Sequence, residues 1–243
     1  LQSPAAGYTL AMGNNNTHAM NIGLYTKLPY DPVKDFAPIA FVASAPTVLV
    51  VNPASPVRSL ADLIALAKSR PGTLTYGSGG VGASSHLAAE LLKQLAGVDM
   101  IHVPFKGTSP AVQALLGDQI SILFDTLPSA QPLVKAGRLR ALAVSAASRI
   151  DSMPDVPAMA EVLPGFEVTA WVALFAPAGT PRPMIDALDR ELSAILGDPG
   201  FAAKLAELGA TPQLRRPAEL AKFVSAEISK WNEVIRRSAI PQQ

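Results

Sequence analysis

The chain contains no cysteine. Disulfides, thiolate-bound metals and a cysteine nucleophile are therefore excluded, although the compartment is left open, because cysteine-free proteins occur on both sides of a membrane. Charge is scarce as well, at 16% of 243 residues. Twenty basic against nineteen acidic residues leave +1, so there is no basic field to hold a phosphate backbone. Long hydrophobic runs are missing too. The most apolar stretches, Phe41–Val51 and Val168–Ala176, are too short to cross a bilayer, and Pro46 interrupts the first. Only three histidines are present, His18, His86 and His102, and none falls in an H-x-x-x-H or H-E-x-x-H pattern, so no metal site is predicted. Apolar residues, by contrast, make up 49% of the chain, which excludes intrinsic disorder. A chain of this length buries about 70–75% of its unfolded surface and is long enough for one large domain or two modest ones.

Leu1–Gly7 has neither a charged n-region nor a long apolar h-region, so it does not read as a signal peptide. It leads directly into an apolar strand, Tyr8–Met12, as if the chain opened in mid-architecture. Short apolar runs then alternate with segments of helical period, the pattern of an α/β fold with mainly parallel strands. The further strands predicted are Pro38–Ala43, Thr47–Asn52, Leu74–Gly77, Met100–Pro104, Ile120–Asp125, Ala141–Ser145 and Val168–Ala176. Ser59 and Asp62 form a capping-box pattern ahead of Leu63–Ser69. Thr180-Pro181 and Asp198-Pro199 each set an N-cap residue before a proline at the first helical position. Pro217–Arg237 reads as an amphipathic helix with Leu220, Phe223, Val224, Ile228, Trp231 and Ile235 on one face. The Pro-rich stretch Met153–Gly165 reads as an irregular connection between two bodies. The pairs Arg215-Arg216 and Arg236-Arg237 read as solvated surface.

Ligands of open α/β sheets bind beyond the carboxyl ends of the strands, and four of those ends lead into polar loops here. The first carries Asn15, Asn16, Thr17 and His18. The second runs from Gly77 to His86 and includes Ser78, Gly79, Gly80, Ser84 and Ser85. The third holds Phe105, Lys106, Gly107 and Thr108, and the fourth Asp125 and Thr126. Gly77, Gly79 and Gly82 match G-x-G-x-x-G, but a dinucleotide site wants an acid at the end of the next strand. That strand ends in Pro104-Phe105-Lys106 instead, and Asp99 lies before it. An anion cradle suits the loop better: glycines expose backbone N–H groups, and Ser84 or Ser85 caps a helix whose positive end attracts a carboxylate. The plain alternative is a turn and a cap. Asp125 either faces the ligand or caps the helix opening near Pro128. Trp171 is either core or a platform beside a cleft. A serine hydrolase built on Ser84 and His86 is a weaker reading, because His86 replaces the closing glycine of G-x-S-x-G.

Several segments together resemble the Bug family, the extracytoplasmic solute receptors of tripartite tricarboxylate transporters. They are Gly7–Leu10, Leu28–Phe36, Ser84–Leu87, Val103–Gly107, Phe124-Asp125 and Phe175–Pro181. The resemblance runs in order from about Gly7 to Trp231. It implies a non-enzymatic periplasmic binding protein of two-lobed, Venus-flytrap α/β fold, its lobes joined by two crossing strands. One lobe is expected from residues 1–51 and 170–243, the other from residues 52–169. It also implies a small organic carboxylate as ligand, no cofactor, and transporter membrane subunits or a sensor kinase as partner. The family's leading β-α-β-α segment is not found before Gly7. On this reading the first lobe is incomplete, a dimer through it is possible, and a non-binding remnant is the alternative function.

Overall fold

The computed structural model of this chain describes residues 7–242. Two units are formed: one from the residues up to Ala45 together with those from Ala170 onward, the other from Pro46–Thr169. The first division thus falls after Ala45, where the sequence places it after Val51.

In the second unit the strands are the latter part of β2 (Phe36–Val51), β3 (Thr75–Ser78), β4 (Ile101–Pro104), β5 (Ile122–Thr126) and β6 (Arg140–Val144). β3 pairs in parallel with β4 and with β5, while β2 runs antiparallel to both β5 and β6. β3, β4, β5 and β6 therefore all point the same way, and their carboxyl ends share one edge of the sheet. Alternation along β3 assigns the faces. Tyr76 points to α3 (Ser84–Ala96), where its hydroxyl meets Glu90, and a side chain at Gly77 would meet Ile120 and Ala111 on the α4 side (Thr108–Leu116). On that second face α4 and α5 (Leu127–Lys135) enclose a core of Val48, Val50, Leu115, Leu123 and Ala130.

The first unit holds β1 (Ala11–Asn14), the start of β2, β7 (Thr169–Pro177) and β8 (Thr211–Pro212). β1 is antiparallel to β7, which lies between β1 and β2. A π-helical turn, Asn16–Met20, runs into the single turn α1 (Asn21–Leu24). α6 (Arg182–Leu196), α7 (Pro199–Glu207) and α8 (Pro217–Arg237) complete the unit. α8 follows its apolar period, burying Leu220, Val224, Trp231 and Ile235.

Several expectations are corrected. Pro38–Ala43 and Thr47–Asn52 form one strand, β2. Pro46 lies within it, after Ala43 and Ser44, which pair with β8, and before Thr47, where pairing with β5 starts. β1 begins at Ala11, and Tyr8 and Leu10 are exposed. Met153–Gly165 is no linker. It folds into the second unit, burying Met153, Ala158, Met159 and Leu163, with Ala158 bridging Val144. α6 is capped at Pro181 rather than Thr180, whose hydroxyl instead donates to the Pro177 carbonyl at 2.8 Å.

α2 (Leu60–Ser69) and α7 start as read. Ser59 accepts the Asp62 N–H at 3.1 Å and Asp198 accepts the Phe201 N–H at 2.8 Å. The Asp62 carboxylate reaches back to the Arg58 N–H rather than to that of Ser59.

Candidate functional site

Within the second unit, β3, β4 and β5 deliver three of the four polar loops to one edge. The chain turns from each strand directly into a helix, so α3, α4 and α5 all present their N-termini there. Their N-cap positions are Ala83, Gly107 and Thr126, and none has a side-chain cap. α2 starts after β2, which runs the opposite way, and it is capped by Ser59. Where no side chain supplies the acceptor, the first-turn N–H groups and the positive helix end are left to another acceptor. Ser84 and Ser85 are therefore the first residues of α3, not its cap.

The loops touch. Gly107 N–H donates to the Gly79 carbonyl at 3.2 Å and Phe105 N–H to the Ser78 carbonyl at 3.0 Å. A Cβ on Gly79 would stand 3.3 Å from Thr108 Oγ1 and 3.4 Å from its backbone nitrogen, so glycine allows this approach. Phe105 packs against the α4–α5 core, and Lys106 and Thr126 are exposed.

The glycine amides are not open donors, contrary to the sequence reading. Gly79 N–H donates to Ser85 Oγ at 3.0 Å, Gly80 N–H to Ser78 Oγ at 3.1 Å and Gly82 N–H to His86 Nδ1 at 3.0 Å. The loop is knit by its own side chains, and donors for an anion fall to the helix ends beside it.

Asp125 is fully buried. Its Oδ1 accepts the Thr126 N–H at 2.8 Å, while Oδ2 makes no hydrogen bond of good geometry. Burial pushes its pKa up, opposed by the nearby Ser129 hydroxyl and the Thr126 amide. It shares the α4–α5 face with Leu123, two residues before it on β5, and it does not cap α5.

His86 stacks on His102 with centroids 3.8 Å apart and planes 7° apart, and Tyr76 lies against His102 at 4.9 Å. Burial holds His86 below the usual range and His102 at about 4, the latter helped by His86. In a serine-hydrolase triad Nδ1–H would donate to an acid. Here Nδ1 accepts from a backbone amide, the opposite polarity. The neighbours His102 and Glu90 lie outside the predicted ligand set. Glu90 is one turn after His86 on α3, a spacing visible in sequence, whereas β3–β4 pairing alone brings His102 beside Tyr76.

The remaining candidates belong to the first unit. Asn14 and Thr17 exchange hydrogen bonds, Asn14 N–H to Thr17 Oγ1 and Thr17 N–H to Asn14 Oδ1, both at 3.0 Å. Asn15 is buried, with its amide near Met20 Sδ, and Asn16 is half-buried. His18 is buried, stacked on Phe175 at 4.1 Å and edge-on to Phe36 at 4.8 Å. Its Nε2 has no hydrogen-bond partner among the described residues, and burial lowers its pKa to about 4. Trp171 is a core residue, 1% exposed, packed between Phe41 and Phe223. It offers no open face to a ligand.

No metal-binding group of three or more His, Cys, Asp or Glu occurs among the described residues, and no described helix is long and apolar enough to cross a membrane.

Residues 1–240 match the tripartite tricarboxylate transporter family receptor. BugT of Bordetella pertussis is 34% identical over 239 residues, covering 98% of this chain and 73% of BugT. Rpa4515 of Rhodopseudomonas palustris, solved with adipate, is 37% identical with a TM-score of 0.85, covering 100% of this chain and 81% of that one. MatC (Rpa3494) of the same organism, solved with bound malate, is 36% identical with a TM-score of 0.78, covering 96% and 81%.

Proposed function

This chain belongs to the tripartite tricarboxylate transporter receptor family, whose members are substrate-binding receptors and not enzymes, and from that premise we propose that it captures a small dicarboxylate at the shared carboxyl edge of β3, β4 and β5. The carrying observation is that α3, α4 and α5 end there without a side-chain cap while α2, at the other edge, has one. Each helix end contributes about 0.3–1 kcal/mol toward an anion. Micromolar binding needs about 8 kcal/mol, so the ends place the charge and direct hydrogen bonds supply most of the rest. Ser84, Thr108 and Thr126 start or precede the three helices and provide hydroxyls, and Lys106 adds a positive charge beside them. The adipate and malate seen in two relatives of similar fold support a ligand with two carboxylates. The family match supports delivery, from the periplasm, to the membrane subunits of such a transporter.

The test is a thermal-shift and calorimetric screen against mono-, di- and tricarboxylates. A ligand at 100 times its Kd stabilises the fold by about 2.7 kcal/mol, so stabilisation by dicarboxylates is the expected result. No response to any carboxylate at millimolar concentration overturns the proposal. Exchanging Lys106 for alanine should weaken binding about three- to tenfold with little change in stability, since the side chain is exposed.

A further inference from the structure

Hydrogen-bond polarity fixes the state of one nitrogen of the histidine pair. Gly82 N–H has only a proton to offer, so His86 Nδ1, at 3.0 Å, must be the bare nitrogen of a neutral ring. Ser78 Oγ accepts the Gly80 N–H at 3.1 Å and lies 3.0 Å from the Gly80 carbonyl. His102 Nε2 shares a hydrogen bond with the same hydroxyl at 2.6 Å. The two rings therefore hold both ends of the glycine loop, His102 through Ser78 at its start and His86 through Gly82 at its close. Gly82 is buried, with φ +77°. A protonated His86 would turn Nδ1 into a donor aimed at another donor. It would also lie face to face with His102, where two positive rings repel.

We propose that His86 is a positioning residue whose neutral Nδ1 holds the glycine loop in its binding shape, with His102 as its neutral backing, and that protonation of His86 releases the loop. This rests on the reading of the neighbouring edge as the carboxylate site. Burial favours the neutral state of the pair, against the pull of Glu90. From β3 comes the Tyr76 ring, 6.1 Å from His86 and 4.9 Å from His102. From α3 comes Glu90, whose pull on a proton is blunted by Lys93 at 2.9 Å and by the Tyr76 hydroxyl at 2.5 Å. Asp99 lies farther off, 3.8 Å from Lys93. Burial lowers both histidines, so the loop is held at neutral pH and released on acidification.

The test is a pH titration of the ligand-free chain by NMR, following the His86 ring nitrogens and the Gly82 amide, in wild type and in His86→Gln. Gln Oε1 can accept the Gly82 N–H but does not titrate. The expected result is an unprotonated Nδ1 at neutral pH and a Gly82 amide that shifts with the midpoint of the His86 ring. In H86Q the Gly82 amide should stay flat over the same range. A Gly82 amide that stays flat while wild-type His86 titrates overturns the proposal, as does a protonated Nδ1 at neutral pH. If H86Q fails to fold, the wild-type titration decides alone. Malate and adipate binding is then measured against pH in both proteins. Acid-side loss should be steeper in wild type, since the ligands' own protonation is common to both. If neither acid binds at neutral pH, the receptor reading fails for those ligands, while the Gly82 titration still decides the role of His86.

Discussion

Trp171 and Trp231 donate their indole N–H groups to the same oxygen, Glu227 Oε2, at 3.3 and 3.0 Å. One carboxylate on α8 thereby ties that helix to β7 in the first unit, and Lys230 neutralises it from the next turn. Replacing Glu227 by leucine leaves two buried N–H groups unpaired, at about 1–3 kcal/mol each. The expected loss is about 2–6 kcal/mol. It is measured by urea denaturation with tryptophan fluorescence, which reports the first unit because both tryptophans of the chain lie in it.

His18 makes the first unit sensitive to acid. Its folded pKa of about 4 lies below the ordinary 6.5. Between those values the unfolded chain binds the proton and the folded one does not, so this contribution to stability is complete above pH 6.5 and falls as the pH is lowered toward 4. His18→Phe keeps the aromatic packing on Phe175 and Phe36. It should cost under about 1.5 kcal/mol at neutral pH and flatten the acid side of the fluorescence-detected stability profile. An unchanged slope would reject His18 as the source.

Asp125 has the opposite sign. Its pKa is raised in the folded state, so its contribution to stability is complete below the ordinary carboxylate value and is lost as the pH rises from there through the folded one. Asp125→Asn keeps an acceptor for the Thr126 N–H and removes the charge. Thermal unfolding should show equal or greater stability at neutral pH and a smaller gain on mild acidification. A loss above about 2 kcal/mol at pH 7 would mean that the ionised carboxylate has a stabilising partner.

Gly79→Ala tests the closeness of the loops. The added Cβ would meet the Thr108 backbone nitrogen at 3.4 Å and its hydroxyl at 3.3 Å, pushing the start of α4 away from α3. A dicarboxylate that uses both ends should bind about tenfold more weakly, or about 1.4 kcal/mol, by calorimetry. Stability should change by less than that. Equal affinity would show that the ligand does not use the two ends together.

The α/β class, most strands and the starts of α2, α7 and α8 were legible because each depends on local signals: alternation, helical period and a cap three residues from its partner. Pro46 misled because a proline usually breaks a strand, whereas here it sits between the pairing with β8 and the pairing with β5. The two-residue β8 is too short for any period to register. The four polar loops were visible as composition. Their donors were not, since a glycine-rich loop looks open until Ser78, Ser85 and His86 are seen to fill it.

By itself, the order of residues determined that this chain is cysteine-free, nearly uncharged overall and built of alternating strands and helices, with polar loops after strands and a resemblance to a receptor family. Those properties are local or summed along the chain. Tertiary structure alone decided that three helix ends meet uncapped at one edge, that His102 stacks on His86, that Trp171 is core and that the Met153–Gly165 stretch packs inward. Each depends on which strands pair and in which direction, and pairing joins residues whose separation in sequence carries no periodic signal.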